Sequence, residues 1–187
     1  PGREGEPEDL RPDEAAQGVA DGDDGDSDPA PPLELIDHNA RAFHLDRFAG
    51  TPVLLYFGYT HCPDVCPTTL ADWVRIRAAL GDDAERVRFV FVSVDPERDS
   101  PADAMAYART FHPSFVGLAP PREGLEALMR AFHLTAYEAP PPDSLGGGYL
   151  VSHGTHSVIV DGEGRLRVLH PFGSTVQDVV ADVKRLL

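Results

Sequence analysis

Cys62 and Cys66 are the only cysteines in this 187-residue chain, separated by three residues in the segment Tyr59-Thr60-His61-Cys62-Pro63-Asp64-Val65-Cys66-Pro67. At that spacing one helical turn or a tight loop brings both sulfurs to one side, ready to close a disulfide or clamp one metal ion. At a helix start, the partial positive charge of the first turn favours the thiolate, and His61 is a further source of positive charge. Two thiolates rarely complete a metal site, so a third ligand is sought among the eight histidines. His153 and His156 stand out because they end a Pro/Gly-rich loop and open a new strand, where a loop can fold over a sheet edge and deliver an imidazole. Soft thiolates select Cu(I) or zinc. A Cys₂His set suits three-coordinate Cu(I), or Cu(II) with an added ligand, whereas zinc wants a fourth ligand such as water. The residue types leave that choice open.

These residues need a scaffold. Val53-Leu54-Leu55-Tyr56-Phe57 is a continuous apolar run ending in Gly58, the pattern of a strand buried on both faces. Pro67 can open a helix at its first position, and Leu70, Trp73, Val74 and Leu80 supply an apolar stripe before Gly81 stops it. The cysteines therefore fall between a buried strand and a helix start, where open α/β sheets place their sites. Val87–Asp95 reads as a second central strand, Ser100-Pro101 caps a helix to about Phe111, Phe115–Leu118 suggests a third strand, and Glu123–Phe132 another helix. Leu33–Asp37 and Phe43–Leu45 flank a turn at His38-Asn39, a short hairpin. Pro140-Pro141-Pro142 and Gly146-Gly147-Gly148 mark a long loop. Ser157–Asp161 and Arg165–Leu169 pair across Gly162-Glu163-Gly164, and Ser174 with Gln177 forms a capping box for the last helix. The expected fold class is α/β: a central mixed sheet flanked by helices, with an extra N-terminal hairpin and a hairpin near the C-terminus.

Charge excludes several functions. The net charge is -15, from 31 acidic and 16 basic residues. That argues against a nucleic-acid binder and against a polybasic membrane-surface binder. No run of about 18 apolar residues is present to span a bilayer, and two cysteines are too few for a disulfide scaffold. Residues 1–32 hold eleven acids against Arg3 and Arg11, with many Pro and Gly and almost no large apolar side chains. Such a stretch cannot offset its ordering entropy, so a disordered acidic linker is expected there, with the folded domain over 33–187. As a flexible coil it would reach roughly 30 Å. The chain starts at Pro1 without Met, so a signal peptide or membrane anchor upstream is expected.

Three segments carry a family resemblance. Gly58-Tyr59-Thr60-His61-Cys62-Pro63-Asp64-Val65-Cys66-Pro67-Thr68-Thr69-Leu70 resembles the metal-binding motif of the Sco/SenC family of copper-binding, thioredoxin-like proteins almost residue for residue. Val92-Ser93-Val94-Asp95-Pro96-Glu97-Arg98-Asp99-Ser100-Pro101 resembles its second characteristic stretch, and His156-Ser157-Val158-Ile159-Val160-Asp161-Gly162 its third. The resemblance runs from about Leu33 to the C-terminus. It implies a thioredoxin-like fold and copper, as Cu(I), Cu(II) or both, bound by Cys62, Cys66 and His156. It also implies a metallochaperone that helps assemble the CuA site in subunit II of cytochrome c oxidase, with other copper chaperones and a thioredoxin-like reductase as further partners. A position in the periplasm, or on another extracytoplasmic membrane face, would follow, tethered by an N-terminal anchor absent from this chain. The family commonly has Asp immediately before the ligand His, where this chain has Thr155; His153 is a substitute ligand to weigh against His156.

The competing function is a thiol-disulfide reductase that keeps the acceptor's cysteines reduced. Three intervening residues, where thioredoxin-type enzymes use two, favour a metal clamp over fast exchange. A peroxidase on the same fold would want Thr three residues before its reactive Cys, and position 59 is Tyr. A redox or copper sensor is a further class that the residues neither support nor exclude. Asp95, with Asp99, is read as shaping a turn and capping the next helix rather than as a site residue. Tyr59 and Asp64 are candidates to support the cysteines from beside them.

Overall fold

The structure, a computed structural model, describes residues 29–30, 35–132, 134, 136–139 and 150–187. The expected linker therefore lies outside the described residues, except for Pro29 and Ala30. Those two pair with the domain: Pro29 bridges Arg165, and the Ala30 N–H donates to the Gly164 carbonyl at 2.7 Å. The Pro/Gly-rich stretch 140–149 is likewise outside the described residues. Among the described residues no helix is long and apolar enough to cross a membrane.

The chain opens with an antiparallel hairpin, β1 (Leu35–Ile36) and β2 (Ala42–Phe43). Its turn is built by Asp37, whose carboxylate accepts from the Asn39 and Arg41 backbone N–H groups at 2.8 and 3.0 Å. Strand β3 (Val53–Gly58) is buried at all six positions, as its unbroken apolar run requires. It pairs in parallel with β4 (Arg88–Ser93), which pairs in parallel with β5 (Val116–Leu118). On the other side of β3 lie β8 (Ser157–Val160) and β9 (Leu166–His170), each antiparallel to its neighbour, so the five-stranded sheet runs β5-β4-β3-β8-β9.

Helices α1 (Val65–Leu80), α2 (Pro101–Phe111), α3 (Leu125–Ala131) and α4 (Val176–Arg185) flank this sheet. Alternation along β3 sends Tyr56 to one face and Phe57 to the other. Trp73 of α1 meets Tyr56, Phe89 and Phe115 edge-on at 6.2, 5.6 and 5.7 Å between ring centres. Phe57 meets Phe132, just after α3, at 5.0 Å on the opposite face. Such aromatic contacts add about 0.5–1.5 kcal/mol each beyond their area burial. The expected central mixed sheet between helices, with an N-terminal and a C-terminal hairpin, is what forms.

The structure departs from the sequence expectations in four places. Helix α1 begins at Val65, so Cys66 is its second residue and Pro67 its third; the missing Pro67 N–H still falls among the unbonded groups of the first turn. Helix α4 is capped by Thr175, whose hydroxyl accepts from the Asp178 N–H at 3.2 Å, and not by Ser174 with Gln177. The Ser174 hydroxyl is turned back to the Pro171 carbonyl at 2.9 Å. Helix α3 is shortened because Arg122–Gly124 forms a 3₁₀ turn ahead of it. A further hairpin, β6 (Ala136–Ala139) with β7 (Leu150–His153), frames the segment expected to be loop alone.

Gly117 on β5 lets α2 approach the sheet at backbone contact, because a Cβ there would stand 2.0 Å from the Ala104 carbonyl oxygen. Gly117→Ala is therefore expected to cost about 3 kcal/mol or more, beyond ordinary overpacking, since backbone and not a side-chain tip must yield. Urea unfolding of the two proteins measures it.

Candidate metal centre

Parallel pairing of β3 with β4 ends both strands at the same edge, Gly58 opposite Ser93. The Val94 N–H donates to the Gly58 carbonyl at 2.7 Å, holding the two exits together. One exit leads through Tyr59–Asp64 into α1 and the other through Val94–Ser100 into α2, so the two connections meet over the sheet edge.

The cysteines are brought together there, with no disulfide between them. Cys66, in the first turn of α1, donates its backbone N–H to the Cys62 sulfur at 3.4 Å. A first-turn N–H aimed at sulfur stabilises negative charge on Cys62. Cys62 is half-buried, whereas Cys66 is fully enclosed. The Cys66 sulfur sits over Gly58, where a Cβ would come within 2.8 Å of it, and accepts from the Tyr56 hydroxyl at 3.5 Å. Its thiol is pushed well above the ordinary cysteine range, first by its hydrogen bond with Cys62 and then by burial. The Tyr56 hydroxyl, which donates to it, and the Tyr59 backbone pull the other way.

Tyr59 is buried and pushed up to about 12, by burial first and then by negative charge at Cys62; the Val151 backbone N–H opposes the shift. The Arg98 guanidinium lies 5.6 Å over its ring. Tyr59 thus ties the cysteine segment to β7 and to the β4–α2 connection. Asp64 stands exposed before α1 and makes no side-chain cap.

His156 immediately precedes β8, whose Ser157 is opposite Tyr56, so the register carries its backbone to the same edge of the sheet as the cysteine segment. Among the described residues, however, no three His, Cys, Asp or Glu side chains are gathered tightly enough to hold a metal ion. The structure brings the cysteine pair together and places the backbone of His156, one residue ahead of β8, at the same end of the sheet. His153 belongs to β7, its backbone opposite Ala136.

Asp95 has the turn role read from sequence: its carbonyl accepts from the Arg98 and Asp99 N–H groups, and its buried carboxylate from Arg98 Nε at 2.5 Å. The helix cap is Ser100, in a reciprocal box with Asp103. Asp99, grouped with Asp95 in the sequence reading, does something else. Its buried carboxylate accepts from Thr60, two residues before Cys62, and from Ser93. Thr60 and Asp99 are 39 residues apart, and nothing local in the sequence announces that contact.

Comparison with known proteins bears on this geometry directly. The family model of SCO1/SenC matches residues 22–187. The chain belongs to the SCO1/SenC family. A SCO2-like protein of Rickettsia prowazekii is 34% identical over 134 residues, which are 72% of this chain and 65% of that protein. The chain thus spans a little under two thirds of the length of such relatives. Among solved structures, Bradyrhizobium japonicum ScoI with copper bound is 34% identical with a TM-score of 0.74, covering 86% of this chain and all of that one. The apo Sco1 protein of Thermus thermophilus is 38% identical with a TM-score of 0.75, covering 87% and 93%. The fold is the thioredoxin-like one expected.

The unequal burial of the SCO1/SenC cysteine pair makes its thiols chemically unequal. In the reduced protein near neutral pH, iodoacetamide should modify Cys62 at least about tenfold faster than Cys66, because thiolate and access are both needed. Cys66 labelling should accelerate only as pH rises well past the ordinary thiol range, its raised pKa keeping the proton on sulfur below that. Peptide mass spectrometry over a pH series reads both rates.

Proposed function

We propose that this domain is a copper metallochaperone: it holds one copper ion through Cys62, Cys66 and His156 and delivers it to the CuA site in subunit II of cytochrome c oxidase. The observation that carries the reading is the cysteine pair itself, the Cys62 sulfur accepting from the Cys66 backbone N–H at a helix start. Copper bound in ScoI, a relative 34% identical over nearly the whole domain, supports it. Thiolate sulfur is the donor that soft Cu(I) selects.

The copper is cargo, and the two cysteines handle it differently. Cys62, half-buried beside Tyr59, meets the ion first. Cys66 must then give up a proton that its enclosed site holds firmly, so loading releases protons and strengthens as pH rises. A thiolate buried beneath Tyr56 is costly alone, and the positive ion offsets that cost. His156, held just ahead of β8 at the same sheet edge, closes on the ion as third ligand; Thr155 before it supplies no carboxylate to polarise the imidazole. Delivery proceeds by ligand exchange, with an acceptor thiolate displacing the accessible Cys62 first. Exchange with an external disulfide, which is reduced to two thiols as the Cys62 and Cys66 sulfurs join, removes two ligands and empties the site. The acidic segment ahead of Pro29 serves as a solvated linker for a domain working at an extracytoplasmic membrane face.

A second reading, thiol-disulfide reductase, draws on the same inequality: an accessible Cys62 for attack and a sheltered Cys66 to resolve the mixed disulfide. Anaerobic Cu(I) titration of the reduced protein separates the two. One tight copper per chain is expected, weakened by about tenfold or more in His156→Ala and abolished in Cys62→Ser/Cys66→Ser. Wild-type affinity in His156→Ala would remove that residue from the ligand set. No tight copper, together with ready exchange against a disulfide substrate, would favour the reductase.

A further inference from the structure

Asp99 is 1% exposed, and both of its carboxylate oxygens are committed. Oδ2 accepts from the Thr60 backbone N–H at 2.8 Å and from the Ser93 hydroxyl at 2.6 Å. Oδ1 accepts from the Thr60 hydroxyl at 2.5 Å and lies 3.4 Å from His61 Nδ1. A buried carboxylate persists only where donors compensate its lost hydration, and here two of the three hydrogen bonds come from one residue, Thr60. Because the Thr60 hydroxyl donates to Asp99, its 3.0 Å contact with His61 Nδ1 requires the imidazole proton at Nδ1. The network therefore also sets the orientation of the exposed His61 ring.

Thr60 lies between the two residues that matter to the sulfurs. Tyr59, before it, accepts from the Cys62 N–H at 3.3 Å to close the turn, and the Cys62 sulfur, two residues after Thr60, receives the Cys66 N–H. We propose that Asp99 is the positioning residue of the cysteine site, its carboxylate clamping Thr60 so that the Tyr59–Cys62 turn keeps the Cys62 sulfur on the Cys66 N–H and keeps the Cys66 thiol enclosed. This deepens the copper reading and rests on it for its biological meaning, but its first test uses no metal. The charge matters as well as the shape. An amide at position 99 presents an NH₂ group to a site supplied entirely with donors, so the clamp opens with little change in volume.

The experiment measures iodoacetamide labelling of Cys66 in the metal-free, reduced chain at one fixed pH, with the melting temperature of each variant beside it. Asp99→Asn and Thr60→Val should each speed Cys66 labelling by about tenfold or more, through local opening of the turn. Thr60→Ser, which keeps the hydroxyl donor, should restore the wild-type rate. Thr175→Ala, which loses the cap of α4 but whose hydroxyl serves Asp178 and not the Asp99–Thr60 clamp, supplies the stability control and should label at the wild-type rate despite a lowered melting temperature. Wild-type labelling in Asp99→Asn, or equal acceleration in Thr175→Ala, would overturn the proposal. Should Asp99→Asn not fold, Thr60→Val, at a partly exposed position, decides it alone. In a second arm, Cu(I)-loaded Asp99→Asn should lose copper to a chelator about tenfold faster than wild type. If the wild-type chain takes up no copper, the chaperone reading fails while the labelling result still decides the role of Asp99.

Discussion

Everything at the site depends on the six-residue parallel pairing of β3 with β4. Because the strands run the same way and end in step at Gly58 and Ser93, their exits lie side by side. That adjacency allows a carboxylate on one connection to hold a turn on the other. A one-residue slip would turn the β3 side chains to the opposite faces, taking Tyr56 away from Cys66 and Trp73. The core that enforces the register is aromatic and continuous, from Tyr56 through Trp73 to Phe89 and Phe115.

On that frame the two cysteines are opposites. Cys62 keeps contact with solvent and receives a helix N–H; Cys66 lies over a glycine under a tyrosine hydroxyl and resists losing its proton. A site that sheltered both sulfurs equally would exchange nothing, and one that exposed both would oxidise readily. Burying one and presenting the other gives a pair able to capture at the surface and retain in the interior. Gly58 is the residue that makes room for this, since any side chain there would collide with the Cys66 sulfur or the Tyr56 ring.

The sequence makes this plan partly legible. Val53–Phe57 is readable because a strand buried on both faces leaves an unbroken apolar run, and Ser100-Pro101 because capping chemistry is local. The cysteine segment is readable because residue type and spacing carry the chemistry directly. The α4 cap is missed by one residue: Ser174 with Gln177 fits a capping box, and only the turn that commits the Ser174 hydroxyl to Pro171 excludes it. The β6–β7 hairpin is missed because its short strands flank a stretch dominated by Pro and Gly. Asp99 is missed for a deeper reason, since its partner lies 39 residues away and only the β3–β4 register brings them together.

The central claim is that Cys62 and Cys66 act as one copper-holding unit completed by His156. X-ray absorption at the copper edge of the Cu(I)-loaded reduced protein tests it most directly, by counting the donor atoms. The account predicts about two sulfurs and one nitrogen around each copper, as a Cys₂His set requires. A shell of nitrogen and oxygen alone, or a single sulfur, would contradict it.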